Sequence, residues 1–166
     1  MITSLPAAVQ ARLQASGTIS GLAHALEECV CNSLDAAATE IEVEVDAQSF
    51  SFVVKDNGTG MTPASLQHLG EAHATSRSSY LDQLEACPGS LGFRGQALAA
   101  ICGTAVVEVT SRARGSFETH RRVLSAGATL SSGLALEQRP RPGTTVHVRD
   151  LLFNQPVRRK ALTASG

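Results

Sequence analysis

Glu28 and Asn32 lie four residues apart, so on a helix their side chains share one face, one turn apart. A carboxylate beside a neutral amide suits hydrolysis of a metal-bound phosphate. The carboxylate can orient or deprotonate a water, and the amide oxygen can ligate Mg²⁺, which prefers hard oxygen donors. The same stretch carries Asp35-Ala36. Taken alone, such a pair also describes the solvated side of an amphipathic helix. A second candidate is Asp56-Asn57-Gly58-Thr59-Gly60-Met61, where two glycines allow a tight turn and close backbone approach to a flat ligand. Asp56 there could accept a hydrogen bond from the exocyclic amine of adenine, or the stretch could be a plain turn closing a hairpin. A third is Leu91-Gly92-Phe93-Arg94-Gly95-Gln96-Ala97-Leu98. Glycines that run directly into a helix make an anion site, because free N–H groups and the helix dipole face a phosphate. No G-K-[ST] follows, so this is not a Walker A loop, and a hinge before a helix remains open as a reading. Last comes Gly143-Thr144, which opens a strand and could set a hydroxyl beside Asp56. The basic run Arg158-Arg159-Lys160 reads as a solvated helix face.

The elements that must position these residues follow from periodicity. Residues 4–16 read as a short helix, and Ser20 can cap a longer one running to about Ala38. Apolar alternation over Ile41–Val45 and Phe50–Val54, with Asp46–Ser49 between, predicts a hairpin. A short helix over Pro63–Leu69 precedes a long irregular stretch, about 70–95, and then a small-residue helix over Gln96–Cys102. Strands are expected at Ala105–Ser111, Phe117–Leu124, Leu134–Gln138 and Thr144–Arg149, with Pro156 opening a terminal helix. The order predicts an α+β fold, a two-layer α/β sandwich: one domain over 1–166, with helices on one face of a mixed, mostly antiparallel sheet.

Composition excludes little and supports an ordinary globular domain. The chain has 166 residues, 43% hydrophobic and 17% charged, with 4% aromatic, so the core must be aliphatic. A net charge of −1 gives no global sign of nucleic-acid binding. Cys29, Cys31, Cys87 and Cys102 form no C-x-x-C pair and read as reduced thiols of an intracellular protein. No signal peptide or membrane-length apolar run is visible, so a soluble protein without membrane contact is expected.

In order and spacing, E-x-x-x-N-S-L-D-A, D-N-G-x-G-M, H-A-T-S-R, G-F-R-G-x-A-L-A, G-T-T-V-x-V and L-F-x-x-P-V-R-R-K resemble the MutL-type mismatch-repair proteins. These belong to the GHKL (Bergerat-fold) ATPases, with gyrase B, the ninety-kilodalton chaperones and the sensor histidine kinases. The H-A-T-S, G-F-R-G and P-V-R-R-K stretches favour the MutL branch. The M-I-x-x-L start, the short connection before Asp56 and V-Q-x-x-L-x-S-G look most like the third eukaryotic homologue.

The resemblance implies ATP and Mg²⁺ as ligands, with Glu28 the general base and Asn32 the metal ligand beside Asp35. It implies Asp56, Gly58, Gly60, Met61 and Thr144 around adenine. Thr75, Ser76 and Arg77, with the Gly92–Leu98 backbone, would form a lid over the phosphates at about 70–95. It further implies an ATP-gated dimerisation switch with a MutL-family partner subunit, a MutS-type mismatch-recognition complex and DNA contacted through the complete protein. The setting would be nuclear, with a meiotic role for the third homologue. Two positions depart from the family pattern: Gln96 stands where Glu is usual, and Ala37 where Gly is frequent. A lysine on a following transducer domain, absent from these 166 residues, would complete the site, so weak or absent turnover is expected of this stretch alone. A nucleotide-regulated binding module without turnover is the alternative.

Overall fold

The computed structural model describes residues 19–70 and 96–164; the helix expected over 4–16 and the stretch 71–95 lie outside them. Six strands, β1 (Ile41–Asp46), β2 (Ser51–Asp56), β3 (Val106–Arg112), β4 (His120–Ser125), β5 (Ala128–Leu134) and β6 (Gly143–Arg149), form one sheet in the order β1-β2-β6-β3-β4-β5. Every pairing among them is antiparallel, so the expected α+β layering stands while no parallel pair is found among the described strands. The helices are α1 (Leu22–Asp35), α2 (Pro63–Gln67), α3 (Gln96–Thr104) and α4 (Pro156–Ala164).

Period-two alternation selects the covered face. Phe52 and Val54 of β2 stand opposite Val148 and Val146 of β6, which in turn face Val107 and Val109 of β3. All of these are buried except Val146, which packs partly buried against the same core. Helix α1 lays Ala25, Cys29 and Ser33 against this face, at the i, i+4 spacing of a single helical stripe. Helix α3 adds Ala100, Ile101 and Cys102. The core is aliphatic, as composition requires. Burial pushes the thiols of Cys29 and Cys102 up to about 12, so both are protonated packing groups. Helix α2 starts as its sequence dictates: the Thr62 hydroxyl accepts from Ser65 N–H at 3.1 Å, and Pro63 follows at the first helical position.

Four expectations are corrected. Helix α1 begins at Leu22 with Gly21 as its cap and no side-chain cap, because Ser20 turns its hydroxyl to His24 Nδ1 at 3.2 Å instead. The helix ends at Asp35 rather than near Ala38, since Ala37 adopts a left-handed φ of 57°. The strand expected at Leu134–Gln138 lies earlier, at Ala128–Leu134, beyond a tight turn with Ala126 at φ 49° and Gly127 at φ 80°. Residues 135–142 instead form a strap back to β6. The basic helix α4 is also more than a solvated face. Arg159 lies over the Phe50 ring at 5.0 Å and reaches Asp150 at 3.2 Å, while Arg158 donates to the Ile19 carbonyl.

The uncovered face of the sheet carries ions. Glu108 accepts from Arg121 Nε at 2.6 Å and from Arg149 Nη2 at 2.5 Å. The hydrogen bond from Arg121 leads in holding the Glu108 carboxyl below its ordinary range. A depressed carboxyl pKa contributes stability above the unfolded-state value, and that contribution is lost as pH falls through the folded value. Glu108→Gln should therefore cost about 0.5–1 kcal/mol near neutrality. Urea unfolding should show the difference from the parent protein closing in acid.

Candidate functional site

The site is organised around Asp56, the last residue of β2, which is 6% exposed. Its Oδ1 accepts from Gly58 N–H at 2.9 Å and Thr144 N–H at 3.1 Å, and its Oδ2 from the Ser33 hydroxyl at 2.9 Å. An ionised carboxylate offers roughly four acceptor positions, so among the described residues about one stays available. The turn after Asp56 is held just as firmly. Asn57 Oδ1 accepts from the N–H groups of Thr39 and Glu40 at 2.8 and 3.0 Å, and Thr59 N–H reaches the Ala36 carbonyl at 2.9 Å. Gly60 has φ 69°, and a Cβ there would lie 2.0 Å from the Arg112 carbonyl oxygen, so no other residue fits.

Thr144 behaves differently from the sequence expectation. Its backbone N–H, rather than its hydroxyl, meets Asp56; the hydroxyl lies 2.9 Å from Ser111 Oγ. Ser111 is fully buried and also accepts from Met61 N–H at 2.8 Å, which ties the far end of the glycine turn to β3. The Met61 side chain packs partly buried against the core.

Glu28 and Asn32 are on α1, one turn apart as spaced, on a side of the helix distinct from the buried Ala25–Cys29–Ser33 stripe. Glu28 is partly buried, with His24 Nε2 at 3.5 Å from its Oε1, and Asn32 is exposed. Asp35 closes the same helix, partly buried. One helix thus offers Ser33 to Asp56 from its inner side and a carboxylate and an amide from another. Among the described residues no three His, Cys, Asp or Glu side chains gather into a metal site. A side-chain amide oxygen such as that of Asn32 is a hard donor of the kind Mg²⁺ accepts.

Thr75, Ser76, Arg77, Gly92, Phe93, Arg94 and Gly95 lie outside the described residues. Gln96 is the first residue of α3; Ala97 is buried and the Leu98 side chain packs against the core. A cavity of about 200 Å³ lined by Leu66, His120 and Ser132 includes none of the site residues.

A model of the histidine kinase-, DNA gyrase B- and HSP90-like ATPases matches residues 19–136. The chain belongs to that family. Within these ATPases it is similar to the DNA mismatch repair protein MLH3 of Arabidopsis thaliana, 38% identical over 99% of this chain and 14% of that protein. It is also similar to the human protein Mlh3, 37% identical over 98% of this chain and 11% of that one. The chain therefore spans a small part of these relatives' length. Among solved structures it resembles the Aquifex aeolicus MutL ATPase domain complexed with ADP, at a TM-score of 0.66 and 32% identity, covering 86% of this chain and 47% of that one. The MutL resemblance read from the motifs stands.

Sequence reasoning missed Ser33 and Ser111. Ser33 sits inside a quoted motif, and its signal was a hydroxyl on the apolar stripe of α1; Ser111 carried no local signal. Ser33→Ala leaves Asp56 short of a partner in a buried setting and should cost about 1–3 kcal/mol in urea unfolding.

Proposed function

We propose that this chain is the ATP-binding and ATP-hydrolysing domain of a MutL-like DNA mismatch repair protein. The observation that supports the reading best is the buried carboxylate of Asp56, fixed by three donors and left with spare acceptor capacity beside a turn that excludes side chains. An adenine base presents an amine donor where guanine presents an oxygen, and a carboxylate accepts only from the first. Thr144, Gly58, Gly60 and Met61 line the base in this reading. Glu28 accepts the proton of the attacking water, and its partial burial limits the solvent around it. Asn32 holds Mg²⁺ through its amide oxygen, with Asp35 alongside; the ion supplies charge neutralisation on the phosphates. Thr75–Arg77 and the Gly92–Leu98 backbone are assigned to the phosphates on their motifs alone.

The relatives' names support mismatch repair as the larger role, and the family resemblance supports its finer parts. ATP would favour association with a MutL-family partner subunit, hydrolysis would release it, and a MutS-type complex and DNA would be engaged by the complete protein in the nucleus. The resemblance of its motifs to the third eukaryotic homologue is what supports a meiotic role as well.

Asp56→Asn turns an amide donor toward the base amine and should weaken ADP binding roughly 30-fold or more by calorimetry. Unchanged affinity would remove the base pocket. In the full-length protein, Glu28→Ala should keep ATP bound while slowing phosphate release about 10²–10⁴-fold. A parent protein that binds ATP and releases no phosphate at all would instead favour the module without turnover.

A further inference from the structure

Asp56 is gripped by its main chain as well as by its carboxylate. Its pairing partner in β1 is Ile41, and the next residue, Asn57, donates its N–H to the Glu40 carbonyl. That pattern turns the Asp56 carbonyl toward β6, where the ladder has already ended at Lys55–Thr145. Arg139 fills the gap: its Nη2 donates to the Asp56 carbonyl at 2.7 Å, and its Nη1 donates to the Thr145 hydroxyl. The approach depends on Gly143, whose Cβ, if it had one, would lie 2.1 Å from that carbonyl oxygen and 2.9 Å from Arg139 Nη2.

The strap that carries Arg139 is itself tightly held. Arg139 N–H donates to the Thr119 hydroxyl at 2.8 Å, and Thr119 is fully buried. Thr119 N–H in turn donates to Gln138 Oε1 at 2.8 Å, while Gln138 Nε2 donates to the Ala135 carbonyl at 2.8 Å. Arg112 Nη1 donates to the carbonyls of Arg139 and Pro140 at 2.7 and 3.1 Å. A planar guanidinium held this way fixes both the position and the angle of what it binds. Desolvation of the partly buried guanidinium lowers its pKa, against the opposing pull of Asp56. Arg139 also lies beyond residues 19–136, the span that the family model matches.

We propose that Arg139 is a positioning residue that sets the preference for adenine nucleotides by holding Asp56 at one angle to the base. This rests on the reading that Asp56 accepts the base amine. A merely structural arginine would weaken every nucleotide alike; a positioning one changes the discrimination between bases, because only adenine offers a donor to the carboxylate.

The test titrates the chain with ADP and with GDP, for the parent and for Arg139→Met, Arg139→Lys and Asp56→Asn, with melting temperatures recorded. The expected result is ADP binding weakened roughly five- to tenfold in Arg139→Met, an intermediate loss in Arg139→Lys, and a narrowed ADP-to-GDP ratio in both. Should Arg139→Met fail to fold, Arg139→Lys carries the same measurement, since a lysine keeps one donor to the carbonyl. An unchanged ratio in a variant that melts lower overturns the proposal and leaves Arg139 a structural strap. Loss of ADP binding in Asp56→Asn with an unchanged ratio in the Arg139 variants overturns this inference alone. Unaltered ADP binding in Asp56→Asn overturns the base pocket and this inference with it.

Discussion

An ionised carboxylate removed from water costs several kcal/mol unless well-aligned donors replace its hydration. Asp56 meets that demand with a hydroxyl from α1, an N–H from the glycine turn and an N–H from the start of β6. These donors come from three separate stretches of chain, and each is useful only when the other two are in place. The registry of α1 against the sheet, the shape of the turn and the start of β6 are thereby coupled through one charged group. Ser111 extends the coupling to β3 by joining Thr144 and Met61. Specificity of arrangement, more than net stability, is what such a buried network supplies.

The two faces of the sheet divide the labour. On the covered face, aliphatic side chains and two inert thiols press α1 and α3 onto β2, β3 and β6, giving the site a rigid floor. On the uncovered face, Glu108 bridges Arg121 and Arg149 across three neighbouring strands, and Lys55 pairs with Glu42 at 2.9 Å. Helix α1 is the element that serves both recognition and the proposed chemistry. Its inner stripe ends in Ser33, which orients Asp56, while Glu28 and Asn32 sit on another side of the same rigid rod. A displacement of α1 would shift both together.

Much of this was legible in the sequence because the informative signals are local. The Glu28–Asn32 spacing, the Asp56–Met61 turn and the β1–β2 hairpin each lie within a few residues, and the structure reproduces them. What escaped involves contacts across long separations. Ser33 meets Asp56 23 residues away, Ser111 meets Met61 50 away, and Arg139 meets Asp56 83 away. No periodicity or turn preference encodes such a meeting. The misplaced strand has a different cause. Ala128–Leu134 buries no residue, so it needs no apolar alternation, whereas the apolar run Leu134-Ala135-Leu136 suggests a strand although only Ala135 of the three is buried. Thr144 shows a third limit: residue type suggested its hydroxyl, and the backbone does the work.

That exposed strand has a consequence for how the sheet comes apart. β5 is held by its hydrogen bonds to β4, with a bulge at Val123/Leu124, and brings no buried side chain to the core. β3 and β6, in contrast, are paired on both sides and bury Val107, Val109 and Val148 completely. Local opening follows such gradients in buried contact. Amide exchange would spread inward from the two edges, β5 and the likewise exposed β1, leaving β3 and β6 as the last of the described strands to trade their protons with solvent.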